Sequence, residues 1–132
     1  MKQHLIMSLL VVFVIATGFS LTQTKPWPVP DKVAKSANPL KADAATIAAG
    51  KSLWNVHCAS CHGKMGLGDG SKAAQLKTQP DDFSKAIFQN QSDGSLYYKV
   101  AEGRDDMPAY KKKIPDTDDI WSLVIYMRTM KK

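Results

Sequence analysis

Apolar positions along this chain recur every three or four residues rather than alternating, and that rhythm predicts helices. Ile47, Gly50, Leu53, Trp54 and Cys58 return at helical spacing through "AATIAAGKSLWNVHCAS", with Asp43 just upstream as a good N-cap. "DGSLYYKVAEG" (Asp93 to Gly103) predicts a short helix with Asp93 near its start and Gly103 as its stop. "PDTDDIWSLVIYMRTMKK" predicts a closing helix capped by Asp116 or Thr117. Ile120, Val124 and Met127 share one stripe of it, with Trp121 and Ile125 beside them. Asp118 and Asp119 sit at its positive end, and Arg128, Lys131 and Lys132 at its negative end, as the helix dipole favours. No convincing period-two strand is present, so the fold class is all-α. A glycine inside a helix costs about 1 kcal/mol relative to alanine, so Gly50 predicts a close approach by another backbone.

Two upstream stretches break this rhythm. After Lys2, "LIMSLLVVFVIATGF" (Leu5 to Phe19) runs apolar for 15 residues and gives way to polar ones, the layout of a secretory signal over residues 1–20. Small residues offer cleavage after Ser20 or after Gly18. The run is shorter than the about 20 residues of a membrane span, yet close enough to leave an uncleaved anchor open. No cysteine lies near the leader, which excludes lipoprotein anchoring. Residues 21–42 include prolines at 26, 28, 30 and 39; lost amide donors and fixed φ predict an extended arm that tethers the domain or lies across it, burying Trp27. Residues 43–132 remain as the one domain that 132 residues allow.

Charge narrows the partners. The net charge is +6 with a pI near 9.3, and it stays positive without the leader, which holds one lysine and no acid. For an exported chain, in the periplasm or on the outer face of the cytoplasmic membrane, nucleic acid is excluded as a partner. An acidic protein surface or anionic lipid fits the sign.

The chemistry concentrates in "NVHCASCHGK". It contains both cysteines of the chain, Cys58 and Cys61, with His62 beside the second. A structural zinc site takes four ligands, and this cluster supplies at most three. A thioredoxin-type dithiol sits at a helix start after a strand, a setting this chain lacks. C-x-x-C-H is the pattern of c-type haem attachment: thiols three apart on a helical turn reach two vinyl groups, and the next residue presents its imidazole to iron. The following "GKMGLGDGSK" is glycine-rich, but it lacks the Gly-Lys-Ser/Thr order of a phosphate loop, and Asp69 alone makes no calcium loop. A haem iron used for electron transfer needs a sixth ligand, and a thioether would raise its potential. Met65 is too near His62 to reach the opposite face, and Met127 and Met130 lie where methionine fills cores. Met107, in the loop "EGRDDMPAY" before Pro108, is the candidate.

These segments together resemble the class I cytochrome c family, in its monohaem bacterial form, from about Asp43 to Met130. "GKSLWNVHCASCHGKMGLGDG" is similar to the family's Gly-x-x-x-aromatic helix leading into C-x-x-C-H-G, "AEGRDDMPAY" to its Gly-x-x-x-Met-Pro loop, and "DDIWSLVIYMRTM" to its terminal helix. The resemblance implies a small cytochrome c fold with first and last helices crossing around one covalent haem c, Gly50 and Trp54 meeting Tyr126 there. It implies that Cys58 and Cys61 hold the haem, with His62 as proximal and Met107 as distal iron ligand. It further implies a backbone carbonyl orienting His62, with Pro80 the candidate.

The expected function is a one-electron carrier between respiratory or periplasmic redox partners, not an enzyme. Lys64, Lys72 and Lys111 to Lys113 would form a positive ring toward acidic-surfaced oxidases, reductases or dehydrogenases. A haem-c subunit of a larger membrane complex or periplasmic dehydrogenase is the alternative, favoured by the arm and a possible N-terminal membrane tether. An open-site haem enzyme or gas sensor would require Met107 to stand away from iron.

Overall fold

Asp43 caps the first long helix as its position predicts, its carboxylate accepting a hydrogen bond from the Thr46 amide at 2.9 Å. In the computed structural model, which describes residues 26–132, the elements are α1 (Asp31–Ala34), α2 (Ala44–His57), α3 (Ala59–His62), a 3-10 turn (Ala73–Gln75), α4 (Ala86–Gln89), α5 (Asp93–Glu102) and α6 (Thr117–Arg128). The leader at 1–20 and residues 21–25 of the arm lie outside the described residues. Among the described residues the one β pairing is an isolated bridge between Arg104 and Met107, and the fold is the small all-α cytochrome c fold. No described helix is long and apolar enough to cross a membrane.

The core forms where α2 crosses α6. Leu123 and Val124 are fully enclosed, and Ile120, Ile125 and Met127 are buried around them. The apolar surface of α6 is therefore broader than the predicted stripe, because α2 covers one side of it and α5 another. Asp116 caps α6 by accepting from the Asp118 amide at 2.9 Å. At the crossing the two backbones touch. A methyl group at Gly50 would stand 2.2 Å from the Ser122 carbonyl oxygen and 2.8 Å from the Tyr126 Cβ. The expected close approach at Gly50 is thus real, and its partner is α6.

Three features differ from the sequence expectation. The predicted first helix breaks at Cys58, whose φ of −117° turns the chain, and resumes as the single turn α3. The arm is not extended throughout. Pro30 precedes a turn of helix in which its carbonyl accepts from Val33 and Ala34 amides, both at 2.9 Å. Proline suits that place because a helix start needs no amide donor there, and no second proline intervenes before Pro39. Third, Arg128 does more than complement a dipole. Its guanidinium donates to Asp93 Oδ1 at 2.6 and 2.9 Å, to the Gln89 carbonyl at 2.8 Å and to the Gln91 carbonyl at 2.6 Å. One side chain of α6 thereby fixes the whole α4–α5 connection.

The crossing supports a test of sign. Helix propensity alone would make Gly50→Ala stabilising by about 1 kcal/mol. The clash with the Ser122 carbonyl predicts the opposite, a loss of about 1–3 kcal/mol by overpacking, read as a lower urea midpoint with an unchanged m-value.

Candidate functional site

Cys58, Cys61 and His62 lie on consecutive turns at the end of α2 and in α3. Backbone bonds wind this segment tightly: the Cys61 and His62 amides donate to the Cys58 carbonyl at 3.1 and 2.9 Å. The following loop then folds back on it, Gly68 donating to the His62 carbonyl at 2.9 Å, Gly70 to Cys61 at 3.2 Å and Lys72 to Ser60 at 2.8 Å. The indole N–H of Trp54, one of the most deeply buried side chains, donates to the Gly63 carbonyl at 3.1 Å. That bond ties the residue after His62 to α2 and explains why an aromatic with a polar handle stands at position 54.

The imidazole of His62 sits among rings, its centroid 5.0 Å from Phe83 and 5.7 Å from Trp54. Its Nδ1 is buried with no hydrogen-bond partner. An unsatisfied buried polar atom costs about 1–3 kcal/mol, so such an atom calls for an explanation. Burial also holds the His62 pKa below its usual value, opposed in part by the charge of Asp81. The ring is therefore a neutral base, the form that binds a metal. The expected carbonyl partner is not in place: the Pro80 carbonyl points at Gly68, 2.4 Å from where a methyl group on it would stand, and no bond joins it to His62.

The two thiols are free. Burial, and secondarily the neighbouring Cys61, push the Cys58 thiol up to about 12. A redox dithiol requires a depressed thiol pKa, so the structure weighs against that chemistry. Zinc fares no better, since no three His, Cys, Asp or Glu side chains among the described residues converge on a metal-binding point.

Met107 occupies a closed turn beyond α5. Gly103 stops α5 with φ of +64°, and a methyl group there would stand 2.5 Å from the Met107 carbonyl oxygen, so only glycine lets the loop fold back so closely. Arg104 and Met107 exchange both backbone bonds, at 2.8 and 2.9 Å. Asp105 between them takes a left-handed φ of +50°, which costs a non-glycine residue about 1 kcal/mol. Asp106 Oδ2 accepts from the Lys77 amide at 2.6 Å and the Thr78 amide at 3.3 Å, joining this turn to the loop below His62. Met107 itself is half-buried and packs on the same core cluster that contains Cys58. Met65 is exposed, while Met127 and Met130 are core residues, as their positions predict.

Sequence reading missed the residue that links the two halves. The Tyr110 hydroxyl donates to the His57 carbonyl at 2.8 Å, so the loop bearing Met107 is bonded to the last residue before the first cysteine. The signal was an aromatic just after Met-Pro. Of the expected lysine ring, Lys64, Lys72 and Lys112 are exposed, Lys113 lies over the Tyr110 ring at 5.6 Å, and Lys111 is ion-paired with Glu102 at 2.6 Å.

With this geometry in view, comparison with known proteins is specific. The family model described as cytochrome C oxidase, cbb3-type, subunit III, matches residues 45–127. Among solved structures, a chain of the reducing HAO-like protein complex of Kuenenia stuttgartiensis is similar, with 28% identity and a TM-score of 0.66. The similarity covers 83% of this chain and 53% of that one, so this chain spans about half the length of that relative. No curated protein matches.

The Tyr110 link carries its own pH dependence. Burial first, then Cys58 and Cys61, push the phenol up to about 12, whereas an unfolded tyrosine titrates near 10. A raised folded pKa means stability that is full below about pH 10 and lost as pH rises toward 12. Tyr110→Phe should cost about 1 kcal/mol at neutral pH through the lost bond. It should also abolish this alkaline loss, as measured by urea unfolding across pH.

Proposed function

The chain belongs to this cbb3-type subunit III family of c-type cytochrome domains, and on that premise we propose that it carries single electrons between exported redox proteins through one haem c. The observation that carries the proposal is the orphaned, neutral imidazole of His62 in a C-x-x-C-H turn whose thiols are both free. Cys58 and Cys61 would hold the haem as two thioethers, and His62 and Met107 would donate to its iron. When bound, the haem supplies an iron that alternates between ferric and ferrous states. With both His62 and Met107 donating to the iron, no substrate would have to coordinate.

The chain's own residues do the rest. Burial keeps His62 unprotonated and so available as a donor. Trp54 and Phe83 flank its ring and keep water from it, which holds the local dielectric low. The Met107 thioether is a soft donor that favours the reduced state and raises the potential. Lys64, Lys72, Lys112 and Lys113 give the surface near these motifs a positive sign, steering an acidic partner without a long-lived complex. The leader-like residues 1–20 support a site of work in the periplasm or on the outer face of the cytoplasmic membrane.

A second reading is favoured by what the chain resembles. The matched family is described as an oxidase subunit, and the similar solved chain belongs to a complex and is matched over only 53% of its length. On that reading the haem domain works as a fixed subunit, with residues 1–20 as an uncleaved membrane tether. Purification decides between them: a monomer after detergent-free extraction means a free carrier, and co-purification with larger chains means a subunit.

Two outcomes test the proposal itself. The exported protein should show a c-type ferrous spectrum with sharp low-spin bands and, when ferric, the weak far-red sulfur–iron band. Met107→Ala should abolish that band, lower the potential and admit carbon monoxide to the ferrous form. Ready carbon monoxide binding by the unaltered protein would instead assign an open site. Charge reversal at Lys112 and Lys113 should slow electron transfer to an acidic partner about tenfold at low ionic strength, with the difference vanishing in high salt.

A further inference from the structure

The arm preceding the domain does not trail away from it. Trp27 is half-buried, with the Arg104 guanidinium carbon 4.4 Å above its ring and the Lys99 ammonium 5.3 Å from it. The Arg104 Nη1 also donates to the Pro26 carbonyl at 2.8 Å. Arg104 is thus gripped at its tip by two consecutive arm residues. At its backbone the same residue exchanges two hydrogen bonds with Met107. Whatever holds the Arg104 side chain therefore acts on Met107 through one residue's main chain.

The arm is itself secured further along. The Val33 carbonyl lies 1.9 Å from where a methyl group on Gly94 of α5 would stand, so the arm backbone sits directly on that helix. Asn38 Nδ2 donates to the Trp121 carbonyl of α6 at 3.1 Å, and its Oδ1 accepts from the Leu40 amide at 3.0 Å. Residues 26–40 are thus attached at both ends, to α6 and to the Met107 turn. That turn contains Asp105 in a left-handed conformation, so its local geometry is not self-sustaining and gains from being held.

We propose that residues 26–40 are a strap that keeps the Met107 turn closed, with Trp27 and Arg104 as positioning residues for the sixth iron ligand. The proposal rests on Met107 being that ligand. Two aromatic–cation contacts and a carbonyl bond disfavour the open turn, in which Met107 would leave the iron and an external ligand could replace it. Proline suits the strap because positions 26, 28 and 30 flank the aromatic with fixed φ, so little chain entropy is lost in presenting it.

The test uses the full haem-loaded protein and imidazole as the competing ligand, followed by loss of the ferric far-red band. Trp27→Ala should tighten apparent imidazole binding about tenfold, while Trp27→Phe, which keeps a ring, stays near the unaltered protein. Asp116→Ala serves as the comparison, since it removes the cap that the Asp118 amide bonds at the start of α6 and so weakens the fold without touching a strap residue; it should leave imidazole affinity unchanged. Equal imidazole affinity in Trp27→Ala and the unaltered protein, with the far-red band present in both, overturns the strap alone. The same holds if Asp116→Ala raises imidazole affinity as much as Trp27→Ala. Absence of the band from the unaltered protein overturns the Met107 assignment, and the strap with it.

Discussion

The backbone contact between Gly50 and the Ser122 carbonyl is the constraint from which the rest of the structure follows. It leaves no room for a side chain, so α2 and α6 can meet in one register only. That register decides where α2 ends, and hence where Cys58 and His62 stand. It equally decides where α6 presents Met127 and Arg128. The Met127 carbonyl accepts from Gln89 at 3.0 Å, and Arg128 gathers Gln89, Gln91 and Asp93. Through them α6 sets the start of α5, and the end of α5 launches the turn that contains Met107. Both sides of the site are therefore referred to one helix, which is why α6 is buried on nearly every face.

Burial then selects the chemistry. The same enclosure that raises the Cys58 thiol lowers the His62 imidazole, and each shift disfavours the charged form, as desolvation must. The result is a set of neutral donors: the Cys58 thiol, an imidazole with a buried nitrogen lacking a partner, and a thioether nearby on the same core cluster. A charged metal ion held by thiolates alone would be poorly matched to such surroundings. A flat, largely apolar group that brings its own iron matches them well, because it adds contact surface while asking only for neutral axial donors.

How much of this was legible depended on the range of the interaction. Local signals were readable: Asp43 and Asp116 as caps, Gly103 as a stop, the period of α2 and α6, and C-x-x-C-H itself. Gly50 was readable too, because a helix interior glycine is locally unfavourable and so implies a distant reason. What sequence could not supply was the partner of each long-range polar group. Arg128 looked like a dipole complement, whereas its fork gathers residues 35 to 39 positions away. Tyr110 reaches back 53 residues to a main-chain oxygen, and main-chain acceptors leave no mark in composition. The helical turn at Asp31–Ala34 was hidden for the opposite reason, since prolines that bound a short helix look like prolines that prevent one.

The two halves of the site are consequently built to different stiffness. The turn with Cys58, Cys61 and His62 is held by short backbone bonds within about ten residues of itself, reinforced by the Trp54 indole. Opening it would break several of these bonds together, and cooperative units of that kind open rarely. The Met107 turn includes a strained residue and, beyond its own bridge and the Tyr110 and Lys111 amides on α5, relies on three of its own side chains reaching remote main chain: Tyr110 to His57, Asp106 to Lys77 and Thr78, and Arg104 to the arm. Each of those can let go separately. A donor set with one fixed side and one held from outside suits an electron carrier. On the proposed function, the fixed side would keep the cofactor in place through many cycles, and the other would let contacts well away from the iron adjust how firmly Met107 is held to it.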